Sequence, residues 1–224
     1  AHGLGLPVAQ VKQGLRDFED GQRALHRNDF PACIAANWRA IRLLADWPPP
    51  RNNLSLALFF DGQPEKAIKT ARRVISQAPH NVQALSNGIR FLAWTGQKAD
   101  ARALWPQLKQ ITPRDDSGRM KMAEAAAVLG EDESVYQLLS SLEEPGATRE
   151  AASGLTQRTQ LFLAVAEANL GKRSARRRLR ALRSSVPWAA DLLVALEAGR
   201  PVHRCGVDAS ARGVCCAFPR LRSC

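Results

Sequence analysis

Cysteine is nearly missing from the body of this 224-residue chain. Cys33 stands alone, and the other four (Cys205, Cys215, Cys216 and Cys224) crowd into the last twenty residues. That distribution excludes a disulfide framework for the whole fold, and a lone cysteine in a helical stretch reads as a small buried hydrophobe. Long apolar runs are missing too, with nothing near the ~18 residues that a membrane-spanning helix needs. Ala1 to Gln10 have neither the basic start nor the apolar run of a signal peptide. The expectation is a cytoplasmic protein with no membrane span. No run of alternating β-branched residues signals a strand. Catalytic signatures are equally scarce: there is no His-Glu-x-x-His pair, no Gly-x-Ser-x-Gly elbow and no phosphate-cradling glycine loop. The four histidines, His2, His26, His80 and His203, are scattered, and His80 sits in a Pro79-His80-Asn81 turn. No catalytic residue, cofactor or metal is expected, and a binding protein is favoured over an enzyme.

What is present is a foldable composition with lopsided charge. Hydrophobic residues make up 45%, enough to build a core and too many for a disordered chain. The formal net charge is +11, yet 12 of the 32 Lys+Arg and only 3 of the 21 Asp+Glu fall within residues 171–224. A nearly neutral body therefore carries a strongly basic end, which suits an acidic partner such as nucleic acid, an anionic membrane or an acidic protein segment.

A period runs through the body. Asn28, Gly62, Gly96 and Gly130 lie 34 residues apart. Their neighbourhoods repeat as well, with Asn53, Leu58, Gly62, Ala67, Ala71, Val74 and Pro79 answered by Asn87, Leu92, Gly96, Ala101, Trp105, Leu108 and Pro113. A looser fifth copy, offset by seven further residues, holds Leu163, Ala168, Gly171 and Pro187. Glycine permits the left-handed residue that ends a helix, and asparagine is the next most tolerant. Small residues such as Ala67, Ala101 and Ala123 allow two helices to cross closely. Pro31 and Pro64 suit first helical positions, whereas Pro48-Pro49-Pro50 reads as a firm stop to the first unit.

This pattern resembles the tetratricopeptide repeat (TPR) family over about residues 15–188. The resemblance implies an all-α, right-handed superhelical solenoid of antiparallel helix pairs. About five units are expected, near 15–48, 49–80, 81–114, 115–147 and 149–188. The segment from Trp188 to Leu196 would then cap the last unit within a repeat domain spanning 1–198, followed by a basic, Cys-rich tail at 199–224. Stacked units of this kind bind peptides or helices in a groove lined by the first helix of each pair.

Aligning the units by their turns puts Gln22, Asn52, Asn87, Arg90, Lys121 and Glu124 near that groove, together with Gln83, and places Phe59 and Trp94 towards its ends. Amide and guanidinium groups suit a peptide backbone or a carboxylate, and they equally suit a solvated polar face. One TPR subclass grips chaperone C-termini with a lysine–asparagine clamp. Here only Asn53 matches in one register, and Asn87 with Lys121 in another, so that role is not expected. The expected partner is a protein or peptide, and the expected function is an interaction scaffold.

The alternative partner is nucleic acid or another polyanion. Lys172, Arg173, Arg176, Arg177, Arg178, Arg180 and Arg183 place seven cations in twelve residues. Ala175, Leu179 and Leu182 among them follow helical spacing, which leaves the arginines on the other faces. A solvated face of the last unit is the plainer reading of the same run. In the tail, His203, Cys205, Cys215 and Cys216 are soft ligands, but their spacing departs from known small zinc modules, and no metal is assigned.

Overall fold

The structure, a computed structural model, describes residues 6–140 and 153–198. Eleven α-helices are found among these residues, and no strand. They are α1 (Val8–His26), α2 (Phe30–Leu43), α3 (Pro48–Phe60), α4 (Pro64–Gln77), α5 (Val82–Trp94), α6 (Lys98–Lys109), α7 (Asp116–Leu129), α8 (Asp132–Ser140), α9 (Ser153–Asn169), α10 (Ser174–Leu182) and α11 (Pro187–Glu197). The helices fall into two compact units, Ala1–Asp100 and Ala101–Cys224.

The repeat is written in the turns. Asn28 has φ +58°, and Gly62, Gly96, Gly130 and Gly171 have φ between +70° and +83°. The residue after each donates its backbone N–H five positions back: Asp29 to Ala24, Gln63 to Leu58, Gln97 to Leu92, Glu131 to Ala126 and Lys172 to Glu167, at 2.8 to 3.0 Å. The turn residue itself bonds three positions back, at 3.0 to 3.2 Å. This pair of bonds is a Schellman closure, repeated five times. It satisfies carbonyls that a helix end would otherwise leave open.

Helix starts follow equally local rules. The side chains of Asp29, Asn81 and Asp115 accept from the N–H of Ala32, Ala84 and Gly118, capping α2, α5 and α7. Pro64 opens α4. The proline triplet behaves differently from the sequence reading: Pro48-Pro49-Pro50 begins α3 rather than merely closing the segment before it. The first-turn N–H groups have no intrahelical acceptor, so prolines there forgo nothing and their fixed φ already suits the helix.

In the first unit, α3 packs against its chain neighbours α2 and α4 and also against α1 and α5. Consecutive odd helices thus form one layer. At the crossing of α1 on α2, α1 presents only the small or short residues Gly14, Asp17, Gly21 and Ala24 as its buried face. A Cβ at Gly21 would lie 2.5 Å from Asn37 Nδ2, and Asn37 is fully buried and tied to the Cys33 carbonyl at 2.8 Å. Alanine is the better helix former by about 1 kcal/mol, but here the clash dominates. Gly21→Ala is expected to destabilise the protein by about 1–3 kcal/mol, measured as a lower urea midpoint at unchanged slope. A stabilised variant would show that the crossing is looser than this.

Cys33 lies at the same crossing, one period before Ala67 and two before Ala101, and all three are fully buried. Burial pushes its thiol up to about 11, outweighing the opposing hydrogen bond from Asn37. At neutral pH it is a protonated core group, not a nucleophile.

In the second unit, α8 packs between α7 and α9, and α7 also meets α9. Helix α10 pairs with α9 and then with α11. The buried residues Ala175, Leu179 and Leu182 form the inner stripe of α10, and Ala189, Leu192 and Leu193 are buried on α11. The helix expected to cap the last unit is therefore present and packed on α10. No helix among the described residues is long and apolar enough to cross a membrane.

Candidate functional site

The groove residues read from the sequence divide between the two units. Gln22, Asn52, Asn87 and Arg90 belong to the first, while Lys121 and Glu124 belong to the second.

In the first unit, positions one period apart on α1, α3 and α5 form rows across the odd-helix layer. Leu15, Pro49 and Gln83 make one row, and Gln22, Leu56 and Arg90 another. Leu15 and Gln22 are exposed, Pro49, Leu56 and Gln83 are partly exposed, and Arg90 is 8% exposed. The guanidinium of Arg90 lies 4.9 Å from the centre of the Trp94 ring, a cation–π contact that also orients it.

Between these rows runs a polar ladder. Asn52 Nδ2 donates to Asn81 Oδ1 at 3.2 Å, so Asn81 caps α5 and ties it to α3 at once. Asn87 Nδ2 donates to Ser55 Oγ at 3.3 Å and to the Asn52 carbonyl at 3.4 Å, while its own Oδ1 accepts from Gln83. Asn87 is fully buried. Where the sequence reading gave it a direct contact, the structure makes it a tie between helices. Asn52 is 6% exposed, and its Oδ1 has no hydrogen-bond partner among the described residues. Buried acceptors in that state are uncommon and cost about 1–3 kcal/mol.

Aromatic rings close one end of this layer. Phe59 stacks on Phe91 with centroids 4.5 Å apart and planes 7° apart, and it meets Trp94 at 5.5 Å and Phe60 at 5.8 Å. Phe59 was expected near the groove mouth; it is core, supporting Trp94 and through it Arg90.

In the second unit, Glu124 is largely buried and pairs with Arg158 at 2.7 Å, joining α7 to α9. Lys121 donates to Ser117 at 2.6 Å.

The basic run is not uniform. Lys172 lies 4.1 Å from the Tyr136 ring centre. Arg178 turns inward and grips Glu167 through two bonds of 3.0 Å, with Gln160 as a further acceptor. Arg180 pairs with Glu197 at 2.8 Å, and both are exposed. Arg173, Arg176, Arg177 and Arg183 are exposed and form no ion pair among the described residues. The sequence reading put every arginine of the run outside the helix's inner stripe, and Arg178 departs from it. It falls three residues after Ala175 and four before Leu182, which is the buried phase. The histidine and cysteines of the tail lie outside the described residues.

Helical pairs closed by the same turn, at steps of 34 residues from Asn28 to Gly130 and of 41 to Gly171, define a helical repeat protein. The chain is 34% identical over 95 residues to the TPR repeat-containing protein YvcD of Bacillus subtilis (strain 168). That match covers 42% of this chain and 20% of the relative, so it spans about a fifth of the protein it matches. No family model matches the chain. Together with the repeated turns, this similarity makes the chain TPR-like.

Proposed function

We propose that the chain is a protein–protein interaction scaffold, and that the exposed side of the α1–α3–α5 layer binds a peptide or helix of its partner. The observation that carries this reading is the Asn52 side-chain Oδ1, nine-tenths buried yet without a hydrogen-bond donor among the described residues, beside the rows Leu15–Pro49–Gln83 and Gln22–Leu56–Arg90. A small rotation of the Asn52 side chain would bring its Oδ1 to a backbone N–H of a partner, while Leu15 and Leu56 offer apolar contact on either side. The similarity to a protein named for its TPR repeats supports the same function.

Asn52→Ala and Leu15→Ala separate binding from folding. Asn52→Ala removes an acceptor that the fold leaves open, but also the Nδ2 bond to Asn81, so melting should fall by the equivalent of about 1 kcal/mol and binding is compared well below it. Affinity for the protein recovered with the full chain from native lysate should fall about tenfold or more in each variant, as expected for residues at the centre of an interface. Unchanged affinity in both variants would reject this face as the binding surface.

A further inference from the structure

We propose that α10 carries a second, independent site: an arginine stripe that binds the phosphate backbone of double-stranded nucleic acid. The geometry is specific to the folded helix. Arg173 and Arg183 flank α10 with helical backbone angles, so the helical phase runs unbroken from one to the other. At about 100° per residue, Arg173, Arg176, Arg177, Arg180 and Arg183 fall within an arc of about 120°. Ala175, Leu179 and Leu182 occupy the opposite, buried side. The stripe rises about 15 Å along the helix.

The fold makes little use of these charges: the dipole favours cations only at the C-terminal end, where Arg180 and Arg183 lie, and by about 0.3–1 kcal/mol each. Arg178 and Lys172, which do serve it, point elsewhere onto Glu167 and Tyr136. Helix α10 has no acidic residue in its first turn, and cations at a helix N-terminus oppose its dipole. Arg173, Arg176 and Arg177 therefore work against helix stability, and Arg183 forms no ion pair among the described residues. The Arg180–Glu197 bridge is an exposed pair of the kind that contributes ~0–1 kcal/mol, so Arg180 is readily released to a competing anion.

The choice among anions follows from what accompanies the arginines. A membrane-surface helix inserts its apolar face, but the apolar face of α10 is committed to the core. A protein interface centres on apolar and aromatic residues, and this stripe holds none. Single strands are held by stacking on aromatic rings, and these too are absent from it. Closely spaced, bidentate phosphate donors without base-reading or stacking groups suit a duplex backbone, bound without regard to sequence.

The test is fluorescence anisotropy of the full chain with two unrelated 20-base-pair DNA duplexes from 50 to 200 mM NaCl. Similar affinity for both is expected, falling about 10²-fold over that range with a log–log slope near −4. The variant Arg173→Gln/Arg176→Gln/Arg177→Gln/Arg183→Gln should flatten the slope by about 3 to 4 and weaken binding about 10²-fold at low salt. Glutamine keeps nearly the same helix propensity, and unchanged circular dichroism confirms the fold. Lys12→Gln/Lys69→Gln/Arg102→Gln/Lys109→Gln removes as many exposed charges elsewhere and should stay within about threefold of the parent, because contact with phosphate rather than net charge sets the slope. Binding unaltered in the stripe variant would overturn the proposal, including the case where residues 199–224 hold the duplex instead. Equal or tighter binding to phosphatidylserine vesicles or to polyglutamate would also overturn it, as would affinity insensitive to salt.

Discussion

Phe59→Ala should destabilise the first unit by about 3–5 kcal/mol, the largest effect expected of any single truncation in that unit. Phe59 is where α3 meets α5, stacked on Phe91 and in contact with Phe60 and Trp94. Phe60 continues the contact to Phe30 on α2, at 5.6 Å. Removing the central ring loses its buried area and also separates rings whose mutual geometry contributes beyond area, by about 0.5–1.5 kcal/mol per pair. Partial collapse is obstructed because Leu54, Leu58 and Leu92 are already buried. Phe59→Leu keeps most of the volume and should cost well under half as much. The measurement is urea unfolding followed by tryptophan fluorescence, with the parent, the leucine and the alanine variant ranked in that order. A loss below about 1 kcal/mol for alanine would show that the aromatic cluster is not the keystone of the α3–α5 contact. The same substitution carries a functional expectation. Trp94 supports Arg90 from below, so Phe59→Ala should weaken partner binding even under conditions where the protein remains folded.

Arg178→Met should destabilise the second unit by about 3–5 kcal/mol, because it leaves Glu167 as a buried charge without its main partner. Glu167 is 3% exposed, and both its oxygens accept from the Arg178 guanidinium. The informative comparison is the double variant Glu167→Met/Arg178→Met. Replacing both members by apolar groups of similar size removes two desolvation costs together, and buried pairs treated in this way are commonly neutral or stabilising. The double variant should therefore recover most of the single variant's loss in denaturant unfolding. Equal losses in the single and double variants would mean that packing of the arginine stem, rather than its charge, holds α10 to α9. Neither outcome touches the exposed stripe, whose arginines lie on the other side of the helix.

The fold was legible because its signal is local. A left-handed residue every 34 positions is an almost direct record of backbone geometry, since only glycine, and less readily asparagine, takes that conformation without strain. Small residues at helix crossings and proline at helix starts are likewise backbone statements. The proline triplet was half-legible: a break is visible from composition, but whether prolines end one helix or begin the next depends on which N–H groups already lack partners. Side-chain roles were harder to read. Asn52 and Asn87 are neighbours on adjacent odd helices, and no periodicity separates the one with an open carbonyl from the one consumed by a tie between helices. That depends on the register between α3 and α5, which composition does not carry. Arg178 could have been found. It shares the phase of Ala175, Leu179 and Leu182, and an arginine in a buried stripe requires an acid nearby; Glu167 on the preceding helix was the candidate.

The five repeated closures also shape how the chain reaches its native state. Each is complete within six consecutive residues, so a helix can be terminated and turned before anything distant has arrived. Pairing of successive helices then needs only short loop closures, and chains rich in such nearby contacts fold in microseconds to milliseconds. Any hairpin can start the process, and its neighbours add to whichever has formed first. A lesion in one turn should slow assembly on that route while leaving the others open, making the folding rate far more tolerant of mutation than the final stability.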